Sequence, residues 1–217
     1  PLLFRAGSTH LEVVTSVVMI ESIVVLNILG FCILMLVNEH VNLALRRQAE
    51  TDSLTGVFNH RAFLTLLGKA MSVEARVDRC LPVLLVDLDH FKRVNDTWGH
   101  QIGDEVLRHF VKMTQTCLRQ GDVLGRLGGE EFAIFLPQAS EGEASQVAER
   151  LRAQVAAQPC QTARGPVALS VSIGVALCEP GERPEAALGR ADRAMYQAKG
   201  EGRNRVQIWG AVTSASV

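Results

Sequence analysis

Gly128-Gly129-Glu130-Glu131-Phe132 sets two adjacent carboxylates between two apolar runs, Val123 to Leu127 and Phe132 to Leu136. The runs read as strands and the residues between them as a tight hairpin. Glycine lets the backbone turn sharply there and lets a bulky ligand approach it closely. Adjacent carboxylates repel unless a cation or a substrate proton compensates them. A solvated acidic hairpin is the plain alternative. A second pair argues for chemistry. Pro82 to Val86 is an apolar run of buried-strand type that ends in Asp87-Leu88-Asp89. Side chains alternate along a strand, so Asp87 and Asp89 share a side. Carboxylates at a strand end suit Mg²⁺, which takes one or two of them and fills its octahedron with water and phosphate oxygens. For Asp89, capping of the following turn is an equal alternative.

These residues belong to a longer pattern. Asp87-Leu88-Asp89-His90-Phe91-Lys92-Arg93-Val94-Asn95-Asp96, then Gly99-His100, Gly103-Asp104 and Gly128 to Phe132, resemble the GGDEF family of diguanylate cyclases. Asp52-Ser53-Leu54-Thr55-Gly56 resembles that family's opening turn. Ala194 to Lys199, with Gly202-Arg203-Asn204, resembles its closing helix and the approach to its last strand. Any one block is a weak signal, whereas five in order over roughly residues 50 to 209 are specific.

The resemblance implies condensation of two GTP molecules to cyclic di-GMP with loss of two pyrophosphates. It assigns Asp87, the Leu88 carbonyl, Glu130 and, in second rank, Glu131 to Mg²⁺, two ions per half-site, with Mn²⁺ as a possible replacement. Glu130 is also the family's candidate base, and Lys92 a cation for the phosphates. Asn95 and Asp104 carry the groups to read the polar edge of guanine, and His100 lies one helical turn before Asp104. Lys199 and Arg203 complete a phosphate clamp. Arg119 and Asp122 have the Arg-x-x-Asp spacing, at the family's distance before Gly128, of an inhibitory site for the product. One departure stands out: where the family has two arginines after Asn59, His60 precedes Arg61, and Asp52 is expected still to pair with Arg61. The product has two-fold symmetry, so two domains must face each other and a homodimer is part of the mechanism.

The elements that must position these residues follow from periodicity. Helices are expected over Arg61 to about Val77, Ile102 to Leu118, Glu143 to Gln158 and Pro184 to Lys199. Proline suits the first turn of the last of these. Strands are expected over Leu81 to Leu88, the 123–136 hairpin, Ala168 to Cys178 and a final edge strand, Val206 to Trp209. This mixture indicates an α+β domain. The resemblance specifies a central, mostly antiparallel sheet wrapped by helices, like nucleotidyl cyclase palms. Lys92 falls on a turn in this reading.

Composition shifts near residue 38. Val13 to Val37 is almost wholly apolar, and as a helix it would reach about 37 Å, enough to cross a bilayer core of about 30 Å. Its apolar residues lie all round rather than on one stripe. Arg46 and Arg47 follow it and only Arg5 precedes it, which places the C-terminal side in the cytoplasm. Glu21 is a costly residue within such a span, and a long dimerisation helix is the alternative. The segment is too long for a signal peptide and lacks a basic start and a cleavage site. The expected division is therefore 1–38 transmembrane or dimerisation helix, 39–51 helical linker, 52–209 catalytic domain and 210–217 flexible tail. Val41, Leu45 and Gln48 give the linker a short heptad-like spacing, and a simple spacer serves equally. The chain begins at Pro1, and the helix is expected to end a larger N-terminal region. A bacterial inner-membrane location follows, with the domain in the cytoplasm.

With 217 residues and a net charge of -1, the chain has no basic field to hold nucleic acid. Its five cysteines form no CxxC pair, which argues against a zinc site or a disulfide framework and fits a reducing compartment. Two other classes stay open: a catalytically silent cyclic di-GMP receptor using Arg119 and Asp122, and a membrane signalling adaptor that needs no nucleotide.

Overall fold

The computed structural model describes residues 2–48, 50–77 and 79–210; of these, the side chains of 2–13 and 40–48 are not described. Residues 211–217, most of the expected tail, lie outside the described range. Contacts divide the chain into two compact units, Pro1–Ala49 and Glu50–Val217.

The first unit is one helix, α1 (Leu2–Gln48), of 47 residues. It runs through both the apolar stretch and most of the expected linker without a break. Val14–Glu39 is long and apolar enough to cross a membrane. Its large apolar side chains are exposed, Leu26 and Leu34 at 65% each. Ser22 Oγ donates to the Val18 carbonyl and Asn27 Nδ2 to the Ile23 carbonyl, each at 2.8 Å. Both polar groups are thus partly satisfied by their own helix.

The second unit begins with β1 (Phe58–Asn59), α2 (His60–Ala75), β2 (Leu81–Leu88), α3 (Phe91–Trp98) and α4 (His100–Cys117). β3 (Val123–Gly128), β4 (Glu131–Phe135), α5 (Glu141–Ala157), β5 (Cys160–Thr162) and β6 (Gly165–Val167) follow. β7 (Val171–Cys178), α6 (Pro184–Gly200) and β8 (Arg205–Ile208) close the unit. Six strands form one sheet in the order β1-β3-β4-β2-β7-β8. Its three central pairings are antiparallel, and the outer two, β1 with β3 and β7 with β8, are parallel. The mixed α+β fold with a mostly antiparallel sheet is as expected, and β8 lies at an edge.

β2 is buried along its whole length, and strand alternation divides its side chains between two cores. Leu84, Val86 and Leu88 join Phe110, Phe132, Val147 and Leu151 on the face covered by α4 and α5. Leu81, Val83 and Leu85 join Phe63, Leu67, Ala191 and Met195 on the face covered by α2 and α6. Phe110 and Phe132 pack at 4.8 Å between centroids, Phe63 and Phe135 at 5.4 Å. Helix starts are fixed locally. Asn59 accepts from the Ala62 N–H at the head of α2. Ser140 and Glu143 form a reciprocal capping box at the head of α5.

Three features depart from the sequence reading. Residues 91–98 form a helix rather than a turn, with Phe91 as its one buried side chain. β1 has two residues and the β5–β6 hairpin has three in each strand, too few to show a period. α4 begins at His100, two residues earlier than expected.

Gly174 on β7 is where α6 comes closest to the sheet. A Cβ there would lie 2.0 Å from the Ala191 carbonyl oxygen and 2.4 Å from the Met195 nitrogen. Both are backbone atoms, so no rotamer change relieves the clash. Gly174→Ala is expected to lower stability by at least about 3 kcal/mol, measured as a loss in the denaturant midpoint at unchanged slope.

Candidate active site

The hairpin between β3 and β4 turns at Gly129, whose φ is 50°. Its shape is held from outside by Arg126. The Arg126 Nε and Nη2 both donate to the Gly129 carbonyl, at 3.0 and 2.7 Å. Its Nη1 donates to Asp52 Oδ1 at 3.0 Å. That oxygen also accepts from Thr55 N–H and Thr55 Oγ1. One guanidinium therefore joins the opening turn to the glycine turn, using its planar fork of donors. Burial alone would raise the Asp52 carboxyl. The hydrogen bonds from Thr55 and Arg126 overcome it and hold the group below its ordinary value of 3.8. Arg126, which the sequence reading did not single out, is thus a partner of Asp52.

The next layer is the end of β2. Asp87 faces Glu131 across the β2–β4 ladder and Ser172 across the β2–β7 ladder. The Leu88 N–H lies 3.4 Å from the Glu130 carbonyl oxygen, so the turn that carries Glu130 closes against this strand end. The Asp87 carboxylate is buried, and Lys199 Nζ from the last turn of α6 sits 2.8 Å from its Oδ2. Burial pushes the Asp87 carboxyl above its ordinary value. Lys199 pulls it down, and the charges of Glu130 and Glu131 add to the rise. Asp87, Glu130 and Glu131 thus share one electrostatic environment.

Asp89 has a different occupation. It is 7% exposed and accepts from Ser170 Oγ and Ser172 Oγ at 2.7 Å each and from the Asn204 N–H at 3.0 Å. Of the two alternatives for Asp89, the structure favours the structural one, though as a tie between distant segments rather than a helix cap. It anchors the 202–204 turn, where Gly202, Arg203 and Asn204 all have positive φ. Arg203 is exposed on that turn.

α3 and α4 pack together next to this strand end. A Cβ at Gly103 would lie 1.9 Å from Asn95 Oδ1, so the Asn95 amide rests on the first turn of α4. That oxygen is buried and has no hydrogen-bond partner. Asp104 follows Gly103, and His100 lies one turn earlier on the same helix. The helix that carries Asn95 and the first turns of α4, which carry His100 and Asp104, are therefore adjacent. Lys92 is exposed in the first turn of α3.

Arg119 and Asp122 lie in the turn from α4 to β3. Asp122 Oδ2 accepts from the Arg119 N–H at 2.7 Å, and the Asp122 N–H donates back to the Arg119 carbonyl at 3.0 Å. The Arg119 guanidinium is exposed, 3.8 Å from Glu143. Both residues border a cleft of about 350 Å³ that Thr51, Val57 and Phe58 also line.

Among the described residues no three His, Cys, Asp or Glu side chains gather into a group that would hold a metal by themselves. The donors at the end of β2 still fit a hard cation. Two or three carboxylates and the Leu88 carbonyl supply oxygen only, and Mg²⁺ takes one or two carboxylates and completes its shell on phosphate and water. Arg126, Ser170 and Ser172 were not singled out from sequence, and Asn204 only as part of a motif block. Arg126 alone carried a signal, as a charge inside an otherwise apolar strand run.

Comparison with known proteins matches residues 49–205 to the family described as diguanylate cyclase, GGDEF domain. Among curated relatives, the diguanylate cyclase DosC of Escherichia coli K12 is 40% identical over 167 residues, 76% of this chain and 36% of that protein. The response regulator PleD of Caulobacter vibrioides is 41% identical over 161 residues, 73% of this chain and 36% of that protein. The chain thus spans about a third of the length of these relatives. Among solved structures, the GGDEF domain of DgcB from Caulobacter crescentus, in complex with c-di-GMP, has a TM-score of 0.72 and 34% identity. That likeness covers 76% of this chain and 95% of the DgcB chain.

The Asp52–Arg126 pair gives a prediction with a sign. A carboxyl held below its ordinary value stabilises the fold above the unfolded-state pKa and loses that contribution as pH falls through the folded-state value. Asp52→Asn is expected to cost about 2 kcal/mol at neutral pH. Relative to the parent, the difference in unfolding free energy should shrink as pH is lowered below about 4. A difference that stayed constant down to pH 2 would mean the charge of Asp52 is not what the pair uses.

Proposed function

The chain belongs to the GGDEF family, and from that premise we propose that it is a diguanylate cyclase that condenses two GTP molecules into cyclic di-GMP and releases two pyrophosphates. The observation that carries the reading is the convergence at the end of β2. Three carboxylates share one field there, beside helices that present an unpartnered amide oxygen.

Each residue then has a task. Asn95 and Asp104 bind the guanine edge. The carboxylate accepts from N1–H and N2–H₂ together, a pattern that adenine lacks, and the buried Asn95 oxygen gains the partner it is missing. His100 adds a contact to the same nucleotide from the first turn of α4. Lys92 and Arg203 approach the phosphates from opposite ends of the site, compensating charge as the leaving group departs. Lys199 leaves or shares Asp87 to join them. Glu130 accepts the proton of the ribose 3′-hydroxyl as that oxygen attacks the α-phosphorus of the second GTP. Asp87, Glu130, Glu131 and the Leu88 carbonyl would hold Mg²⁺, two ions per half-site and replaceable by Mn²⁺, which when bound stabilises charge on the attacking and leaving oxygens.

One domain holds one GTP, and the product is two-fold symmetric, so the active form is a homodimer with facing sites. α1 tethers the pair. Its apolar span supports a bacterial inner-membrane location, with the arginines after the span and the catalytic domain on the cytoplasmic side. Residues 1–38 would then be the span, 39–51 the helical linker and 52–209 the catalytic domain. Product binding at Arg119 and Asp122 gives feedback inhibition, with the exposed guanidinium pairing to a guanine edge or phosphate.

GTP conversion in detergent or vesicles tests the reading. Glu130→Gln is expected to lower turnover by about 100-fold or more while leaving the fold intact. Product binding without turnover by the parent chain would replace the enzyme reading with the receptor one. Arg119→Ala is expected to raise the product concentration needed for half inhibition by about tenfold or more, with the initial rate unchanged. Inhibition at the parent's concentration would remove the site from this turn.

A further inference from the structure

The turn from α6 into β8 holds three left-handed residues in succession, Gly202, Arg203 and Asn204, with φ of 112°, 63° and 45°. Helix termination accounts for the first of them. The Gly202 N–H donates to the Lys199 carbonyl at 3.4 Å and the Arg203 N–H to the Ala198 carbonyl at 3.0 Å, the pair of bonds that closes a helix on a left-handed glycine. It does not account for the next two. Asparagine visits this region with some ease, whereas arginine seldom does. Such residues persist where the surroundings over-determine them, and they gather at active sites and ligand clamps.

The surroundings here come from two distant elements. Asp89, just past the end of β2, accepts from the Asn204 N–H at 3.0 Å. Arg152 on α5 donates from Nη1 to Asn204 Oδ1 at 3.1 Å, and its Nε donates to Glu149 Oε2 at 2.7 Å. Asn204 is therefore gripped by its backbone and by its side chain. The Arg203 carbonyl also accepts from Arg205 Nε at 3.3 Å. The backbone of Arg203 is thus tied on both sides, while its guanidinium is exposed and has no partner among the described residues. One turn earlier, Lys199 pairs with Asp87. The two aspartates at the end of β2 therefore each hold one cation, Asp87 by a direct ion pair and Asp89 through the residue that follows Arg203. A turn that served only to lead α6 into β8 would need no arginine in a left-handed conformation, since glycine adopts it freely.

We propose that Asp89 and Arg152 are positioning residues for nucleotide binding: together they pin Asn204, fix the left-handed turn, and so present the Arg203 guanidinium to the phosphates with its backbone already ordered. The inference rests on the nucleotide reading above and deepens it. It adds two residues that touch no substrate, one of them on α5, a helix to which that reading gives no task. Ordering the backbone in advance removes part of the entropy that binding would otherwise consume.

Titration of the full chain in detergent with GMP and with a non-hydrolysable GTP analogue tests this. GMP reports recognition of the base, and the analogue adds the β- and γ-phosphates. Arg203→Ala is expected to weaken the analogue about tenfold and to leave GMP unchanged. Asp89→Asn, Arg152→Met and Asn204→Gly should each do the same alone and add nothing in the Arg203→Ala background. Arg152→Lys, which keeps a donor for Asn204, should recover most of the loss. Asn204→Gly suits the positive φ, keeps the N–H on Asp89 and removes only the carboxamide that Arg152 holds. It therefore tests the proposal even where Asp89→Asn does not fold. Equal losses for GMP and the analogue, or losses that persist on top of Arg203→Ala, would overturn it, because a general loosening of the fold gives either pattern. Parent affinity for the analogue in all three variants would overturn it as well. A parent chain that binds neither ligand removes the nucleotide reading itself, whereas a parent that binds both, with variants that show those patterns, removes only the positioning roles of Asp89 and Arg152.

Discussion

The guanidinium of Arg126 is the interaction on which the site's geometry depends. Two of its N–H groups hold the Gly129 carbonyl and a third holds Asp52. A glycine turn left to itself has many accessible conformations. Fixed from β3, it sets Glu130 against the end of β2, where the Leu88 amide meets its carbonyl. The same arginine ties this turn to Asp52, in the first turn of the second unit. The segment that leads into the catalytic domain and the loop bearing the proposed base therefore share one side chain. Asp52 is thus two hydrogen bonds from Gly129, the residue before Glu130.

Electrostatics at the end of β2 work in the opposite direction from packing. Asp87 is buried, faces Glu131 in register and has Glu130 in its field, and its carboxyl is raised accordingly. Among the described residues, the ion pair with Lys199 offsets this. Partly compensated carboxylates cost stability, and proteins keep such arrangements where a ligand supplies the missing charge. Asp89, two residues on, shows the contrast. It accepts from three neutral donors and holds the closing turn in place. Two aspartates of one motif thus divide into one proposed to meet a ligand and one used by the fold.

The sequence was legible where burial writes a period. β2 and β7 are apolar because both faces are covered, and their ends were expected within a few residues of where they lie. α6 carried its start signal in Pro184, and α5 begins at Glu141, two residues before its expected start. Legibility failed where few residues are involved or where the partner is distant. α3 is short and largely exposed, with Phe91 alone buried, so its apolar pattern is a single residue. β1 and the β5–β6 hairpin are short and held largely by backbone pairing, which leaves no apolar period. The acidic residues of the site were found by motif. Their positioning partners were not, because Ser170, Ser172 and Asn204 are ordinary residues until the fold brings them 81 to 115 positions along the chain to Asp89. Asp52 was noticed, but its tie to Arg126, 74 residues away, was not.

The central claim is that the carboxylates at the end of β2 form a cation site completed by a nucleotide. Mn²⁺ binding, read by electron paramagnetic resonance with a non-hydrolysable GTP analogue, tests it most directly. The parent chain should bind Mn²⁺ more tightly with the analogue than without it, and Asp87→Asn should abolish that gain while far-ultraviolet circular dichroism stays unchanged. Equal Mn²⁺ binding by parent and variant in the presence of the analogue would contradict the account, because the cation would then be held elsewhere.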